Sequence, residues 1–212
     1  FPVAKYGGGP IAVLTLIKHE RNNKHIVITS AEDDEFYQKF KAVAFRCYNV
    51  NVSRVSLTSI IKTVRIIDRE KPRIIHAHGK GGAFYAFIAS LFLLKPAKVV
   101  YTFHGFNNRF KCLRSVMYLI FERIFSFFVD KYIAVSESEL KKVKDYRFVP
   151  EKLITVIHNG VSEYRGILPK EKRRLLEKHK KNIVTLSRIS PQKDLVTMLR
   201  IFKSYILNTN DD

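Results

Sequence analysis

The sequence predicts an α/β protein: a parallel β-sheet with helices on both of its faces. Three observations carry that prediction. Short β-branched runs alternate with segments of helical periodicity along most of the chain, and parallel strands need a crossover element between them. Several of the strand-like runs end in turns rich in glycine and histidine, as expected where strands hand over to helices at one rim of a sheet. The chain has 212 residues, 46% apolar and 27% charged, with two cysteines, which excludes a disordered tail, a collagen-like repeat and a disulfide-built scaffold.

Taken in order, Gly7-Gly8-Gly9-Pro10 opens a helix whose apolar positions are Ile11, Val13, Leu14 and Ile17. The six residues ahead of that loop leave scarcely room for a strand. Ile26-Val27-Ile28-Thr29 is a strand, and Glu32-Asp33-Asp34-Glu35 is read as a solvated acidic loop. Leu57, Ile60, Ile61, Val64 and Ile67 recur at helical spacing and stop before Pro72, which cannot continue a helix. The strand Ile74-Ile75-His76-Ala77 leads through Gly81-Gly82 into an apolar helix over 83–94. The clearest strand is 98–103; it passes through His104-Gly105 into a helix over roughly 111–128. Tyr132-Ile133-Ala134-Val135 is a further strand. Ser136 stands three residues before Glu139, the spacing of a capping box in which each side chain satisfies an open amide at the helix start. A last strand, 153–157, ends in His158-Asn159-Gly160.

These elements make a first domain over 1–164. A linker over 165–181 follows, with eight basic residues against two acidic ones, ending in a charged helix. A second unit over 182–212 then begins, with a strand at 182–186, a turn at Ser190-Pro191-Gln192 and a helix over 195–206. It is too short to bury a core of its own.

The net charge is +19, a field that favours an anionic partner. No zinc-finger spacing, helix-turn-helix signal or aromatic RNA-binding motif accompanies it, so nucleic acid is not the expected partner. Cys47 and Cys112 read as ordinary thiols in a reducing compartment. The longest uncharged stretch, 81–94, falls short of the roughly 20 apolar residues that span a bilayer.

Ligands of parallel sheets bind outside the carboxyl ends of the strands, which puts His78-Gly79, His104-Gly105, Ser136 and Asn159-Gly160 on one rim. Gly8 and Gly9, at a helix entrance, either let backbone amides approach a phosphate or sugar, or form only a flexible turn. His76-Ala77-His78 has the form of a metal-binding pair, but no further His or Asp is spaced to complete a site, and a hydrogen-bonding role is preferred. His104, after the strongest strand, either serves a sugar hydroxyl and developing charge or caps the strand. Arg188 and Lys193, five apart at a strand end and a helix start, offer cations to phosphate oxygens.

Six stretches in this order resemble family 4 of the retaining glycosyltransferases. They are Gly7-Gly8-Gly9-Pro10; Ile74-Ile75-His76-Ala77-His78-Gly79; Val100-Tyr101-Thr102-Phe103-His104-Gly105; Ile133-Ala134-Val135-Ser136-Glu137; Ile154-Thr155-Val156-Ile157-His158-Asn159-Gly160-Val161; and Leu186-Ser187-Arg188-Ile189-Ser190-Pro191-Gln192-Lys193-Asp194. The resemblance implies a GT-B fold of two Rossmann-like domains, of which 1–164 is the acceptor-side domain and 182–212 the start of the donor-binding one. It implies transfer of a sugar, with retention, from a nucleoside-diphosphate sugar to a glycan or lipid-linked acceptor, in surface polysaccharide synthesis and with no cofactor or required metal. Gly8 and Gly9 then lie near the donor diphosphate, and His104 contacts the transferred sugar or assists the reaction. Arg188 and Lys193 neutralise the leaving group, and Asn159 lies at the rim between domains. A smaller share goes to another enzyme on this architecture, such as a nucleotide-sugar epimerase.

The family's glutamate-containing motif of the second domain has no counterpart before Asp212. The chain is therefore read as truncated at both ends, a fragment not expected to turn over efficiently alone. The alternative is a non-catalytic remnant or a module that binds an anionic surface. Enzymes resembling this one work in the cytoplasm or on the inner membrane face. The segment 109–123 mixes Arg109, Lys111, Arg114 and Arg123 with Phe110, Leu113, Met117, Tyr118 and Phe121. It reads either as a helix resting on anionic lipid or as one packed by its apolar stripe against the sheet.

Overall fold

The computed structural model describes residues 3–93, 97–106, 113–161, 169–177 and 194–209, together with 185, 187 and 189. The chain divides into two units, Phe1–Glu163 and Tyr164–Asp212.

In the first unit strands and helices alternate as expected: β1 (Val3–Ala4), α1 (Gly8–His19), β2 (Ile26–Ala31), α2 (Asp34–Val43), β3 (Arg46–Asn49), α3 (Leu57–Glu70) and β4 (Ile74–His78). There follow α4 (Gly79–Phe92), β5 (Lys98–Thr102), α5 (Leu113–Phe125), β6 (Lys131–Ala134), α6 (Glu137–Asp145) and β7 (Ile154–Val156). Every strand pairing is parallel. The order is β1-β2-β3 in one sheet and β4-β5-β6-β7 in the other.

Two expectations need correction here. A strand does precede the glycine loop, although it is only two residues long. Val3 and Ala4 pair with Ser30 and Ala31, and the fully buried Ala4 accepts the Asp33 amide at 3.1 Å. So short a strand is hydrogen-bonded to β2 and, among the described residues, not to β4, and the strands fall into two sheets. The acidic run at 32–35 is not a plain loop either: it starts α2. Asp33 caps that helix by accepting the Phe36 amide at 3.0 Å, and Asp34 and Glu35 fill the first turn, where negative charge favours the helix dipole.

Three apolar clusters hold the unit together. Val13, Leu14 and Ile17 of α1 meet Phe36 and Phe40 of α2 over Val27, which is why the apolar spacing of α1 and the amphipathic α2 are both needed. Val99, Tyr101, Phe103, Phe125 and Tyr132 form the larger cluster around β5. Tyr85 of α4 joins Val50 and Val52, beyond β3, and donates its hydroxyl to the Arg54 carbonyl at 3.0 Å. That third cluster links the half bearing β1–β3 to the half bearing β4–β7.

In the second unit the described residues include α7 (Lys170–Glu177) and α8 (Leu195–Thr209). The helix expected at 195–206 is therefore present and longer. The strand expected at 182–186 lies outside the described residues, as do Arg188 and Lys193.

Candidate functional site

The site is built where β4 and β5 end side by side, with His78 in register with Thr102. Residues two apart in a strand share a face, so His76 and His78 lie together, their ring centroids 4.0 Å apart. His76 Nε2 is hydrogen-bonded to the Thr102 hydroxyl at 2.8 Å. His78 Nδ1 lies 2.9 Å from His104 Nε2, one of the two nitrogens carrying the shared proton. The two rings stack with centroids 5.1 Å apart.

His104 reaches that position through an unusual turn. Its φ is 54° and that of Gly105 is 100°, two consecutive residues in the left-handed region that L side chains seldom enter. The turn bends the chain off β5 and lays the imidazole against the glycine loop. A methyl group built on Gly9 would stand 3.4 Å from His104 Cγ, whereas one on Gly8 would meet nothing within 4 Å. Gly8, Gly9 and His104 are thus brought together, with Gly8 the open edge.

The helix starts around this point differ from the others. Asp33, Ser56 and Ser136 cap α2, α3 and α6 by accepting a first-turn amide. The caps of α1 and α4 are Gly7 and His78, with no side-chain hydrogen bond and no acidic residue in the first turn. Both helices border the histidine cluster. First-turn amides have no acceptor within their own helix and carry the positive end of its dipole, so such a start favours an anion.

The cluster is uncharged at neutral pH. Burial pushes His76 down to about 4, with the neighbouring His104 adding to the effect. Burial, then His76 and His104, hold His78 well below the ordinary histidine value. His104 is also lowered by burial, against the opposing pull of the Glu139 carboxylate. Each neutral imidazole has one donor and one acceptor nitrogen. His104 Nδ1 is buried without a hydrogen-bond partner. His76 and His78 spend ring nitrogens on Thr102 and His104, and among the described residues no group of three or more His, Cys, Asp or Glu is placed to hold a metal.

Asn159 is exposed on the same rim. Beside it the His158 ring contacts the Val135 carbonyl at 3.2 Å, and Gly160 lies against Thr15 of α1. A cleft of about 730 Å³ opens at the other end of β2, lined by Lys18, His19, Arg21, His25 and Phe45 among others, and shares no residue with the rim.

Sequence reasoning missed the residue that ties the rim together. The capping box at Ser136 is half present: the Ser136 hydroxyl accepts the Glu139 amide at 3.2 Å. The Glu139 carboxylate does not return to the Ser136 amide. Its Oε2 accepts the Val135 amide at 2.8 Å, and its Oε1 accepts the amides of Gly105 and Phe106 at 2.5 and 2.6 Å. Those two amides lie more than thirty residues away in sequence, and no local pattern marks the link.

Solved structures share this architecture. The chain is similar to a glycosyltransferase from Rickettsia africae, with 18% identity and a TM-score of 0.67, covering 100% of this chain and 57% of that one. It is similar to Anabaena Alr3699/HepE in complex with UDP and glucose, with 16% identity and a TM-score of 0.68, over 95% of this chain and 56% of that one. A UDP-N-acetylglucosamine 2-epimerase from Rickettsia bellii aligns at 14% identity and a TM-score of 0.50, over 84% of this chain and 46% of that one. The chain spans about half the length of these structures, and the likeness establishes a Rossmann-like α/β fold of the GT-B kind. No curated protein matches it. The family model for Glycosyltransferase Family 4 matches residues 6–165, which take in the glycine loop, the histidine cluster and Asn159, and the chain belongs to that family.

Proposed function

We propose that this chain contributes the acceptor-side domain of a retaining glycosyltransferase, which moves a sugar from a nucleoside-diphosphate donor to a glycan or lipid-linked acceptor in surface polysaccharide synthesis. The observation that carries the reading is the meeting of the uncapped start of α1 with His104, at Gly9. A departing nucleoside diphosphate accumulates negative charge, and fixed amides and cations placed there in advance stabilise it without reorganisation. The amides of Gly8 and Gly9 supply part of that field. Arg188 and Lys193 supply the cations, Asn159 binds substrate from the rim, and no metal is required. The neutral imidazole of His104 contacts the transferred sugar, accepting from or donating to a hydroxyl. UDP and glucose accompany Alr3699/HepE, which supports a nucleotide-sugar donor for this chain as well.

The test is transfer from a panel of UDP- and GDP-sugars by the natural full-length polypeptide, with the product anomer read by NMR. His104→Ala is expected to lower kcat more than donor affinity. Arg188→Ala and Lys193→Ala are expected to weaken nucleoside-diphosphate binding about tenfold each, an effect typical of a lost charged contact. Wild-type turnover in His104→Ala would remove that residue from the reaction. Epimerised free sugar in place of a glycoside would favour the epimerase reading.

A second reading, compatible with the first, rests on α5. Phe121, Glu122 and Phe125 face the core, yet Val116, Met117, Ile120 and Ile124 are exposed on its outer side, with Phe127 just beyond. An outer face this apolar, in a chain of net charge +19, fits an anionic membrane surface. Among the described residues no helix is long and apolar enough to cross a membrane. The chain is expected to sediment with vesicles containing phosphatidylglycerol and not with neutral ones, and Ile120→Asp to abolish the effect. Equal failure with both vesicles would end this reading.

A further inference from the structure

The geometry points to Glu139 as a positioning residue for the transfer reaction, acting through His104 without touching substrate. This rests on the role proposed above for His104. The turn that aims His104 is held in a conformation its residues do not favour. Left-handed geometry at a non-glycine residue costs about 1–3 kcal/mol and persists only where the surroundings impose it. The surroundings here include one buried carboxylate that grips the turn by its amides.

Successive backbone amides in a turn of this kind point to the same side and form a concave anion site, a nest. The amides of Gly105 and Phe106 are such a pair, and the anion they hold is Glu139 Oε1. The other oxygen is anchored on Val135, at the end of β6, and the Glu139 backbone is anchored by the Ser136 cap. Glu139 is 5% exposed, so water does not compete for these bonds, and bonds to an ionised acceptor are about twice as strong as neutral ones. The carboxylate thus clamps the loop after β5 to the start of α6. The clamped loop sets the His104 ring between His78 and Gly9.

The decisive variant is Glu139→Gln, which keeps the shape but presents an NH2 group to an amide N–H in either orientation of the side chain. It should lower kcat ten- to a hundredfold and move KM less than about threefold, a pattern expected when a group acting in the transition state is displaced. Introduced into His104→Ala, the same change should cost under about twofold, because the two residues act as one. A loss of equal size in both backgrounds would show a merely structural role and overturn the proposal.

A readout independent of activity separates this proposal from the role given to His104. In the labelled 212-residue chain, the nuclear Overhauser contact between the His104 ring and Gly9 should vanish in Glu139→Gln. Its survival at wild-type intensity would overturn the proposal even if His104→Ala is inactive. Loss of the contact together with full activity in His104→Ala would instead remove His104 from the reaction, and with it the catalytic consequence claimed for Glu139. Should Glu139→Gln fail to fold, Gly105→Ala tests the same turn with the carboxylate intact. At φ 100° an alanine is strained even though its methyl group has open space, and it should reproduce both the kcat loss and the coupling to His104.

Discussion

Two buried glutamates flank the sheet of β4–β7, and they are treated in opposite ways. Glu139 is ringed by backbone amides: three donate to its carboxylate. Glu122, on α5, is fully buried among tyrosines. Its Oε1 accepts a long hydrogen bond from the Tyr101 hydroxyl at 3.4 Å, and its Oε2 is buried without a hydrogen-bond partner among the described residues. Burial pushes the Glu122 carboxyl up to about 7, in spite of Tyr118, Lys80 and Tyr101, which favour the charged form. Backbone amides are donors only and have no acceptor role to fill, whereas tyrosine hydroxyls must be oriented and also seek acceptors of their own. The first arrangement meets a buried carboxyl with backbone donors, and the second leaves its carboxyl short of donors and pushed up to about 7.

The pH dependence of stability should show the largest consequence of this difference. A carboxyl near 4.5 when unfolded and near 7 when folded binds its proton more tightly in the native state. Its contribution is complete below about 4.5 and is lost as pH rises through about 7, by about 3 kcal/mol in all. His76 and His78, held neutral by burial, act in the opposite sense and lose stability as pH falls below about 6.5. The clean measure is therefore the gap between wild type and Glu122→Gln in urea unfolding at pH 5 and pH 8. The gap should shift by about 3 kcal/mol in favour of the variant at the higher pH, and parallel behaviour at both would show that Glu122 is ionised throughout.

The same substitution at the other glutamate should behave differently. Glu139→Gln is expected to cost about 2 kcal/mol, the order of one buried amide left facing a donor. Equal stability of the two Gln variants at pH 8 would erase the contrast. The smallest effect expected is from Ser136→Ala, about 1 kcal/mol for a lost helix cap. Should its loss match that of Glu139→Gln, the cap and not the carboxylate would be the main anchor of α6.

Much of the fold was legible because local patterns and tertiary structure agree. Strand 98–103 has the β-branched run expected of a central strand, and Val99 and Tyr101 are indeed buried in β5. The helix at 57–70 follows its apolar spacing, its Ser56 cap and the proline beyond it. Where patterns were weak the reading missed: β3 is short with exposed ends, and α2 hides behind an acidic run whose first role is capping. For α5 the expected packing of an apolar stripe against the sheet is present at Phe121 and Phe125, while Val116, Met117, Ile120 and Ile124 on its other side are exposed.

The candidate site divides along the same line. Its residue types and their places at strand and helix ends were written in local sequence, because a turn, a cap or a strand end is decided within a few residues. The contact of Gly9 with His104, the stacking of His104 on His78, and the grip of Glu139 on the loop after β5 link residues 26 to 95 positions apart. Such contacts exist only once parallel strands lie side by side and bring their carboxyl ends to one rim. Sequence alone determined an α/β chain with a glycine-opened first helix and histidines at its strand ends. Tertiary structure decided which of those histidines face the glycine loop, and which glutamate is met by backbone amides, because orientation and burial come from packing and not from composition.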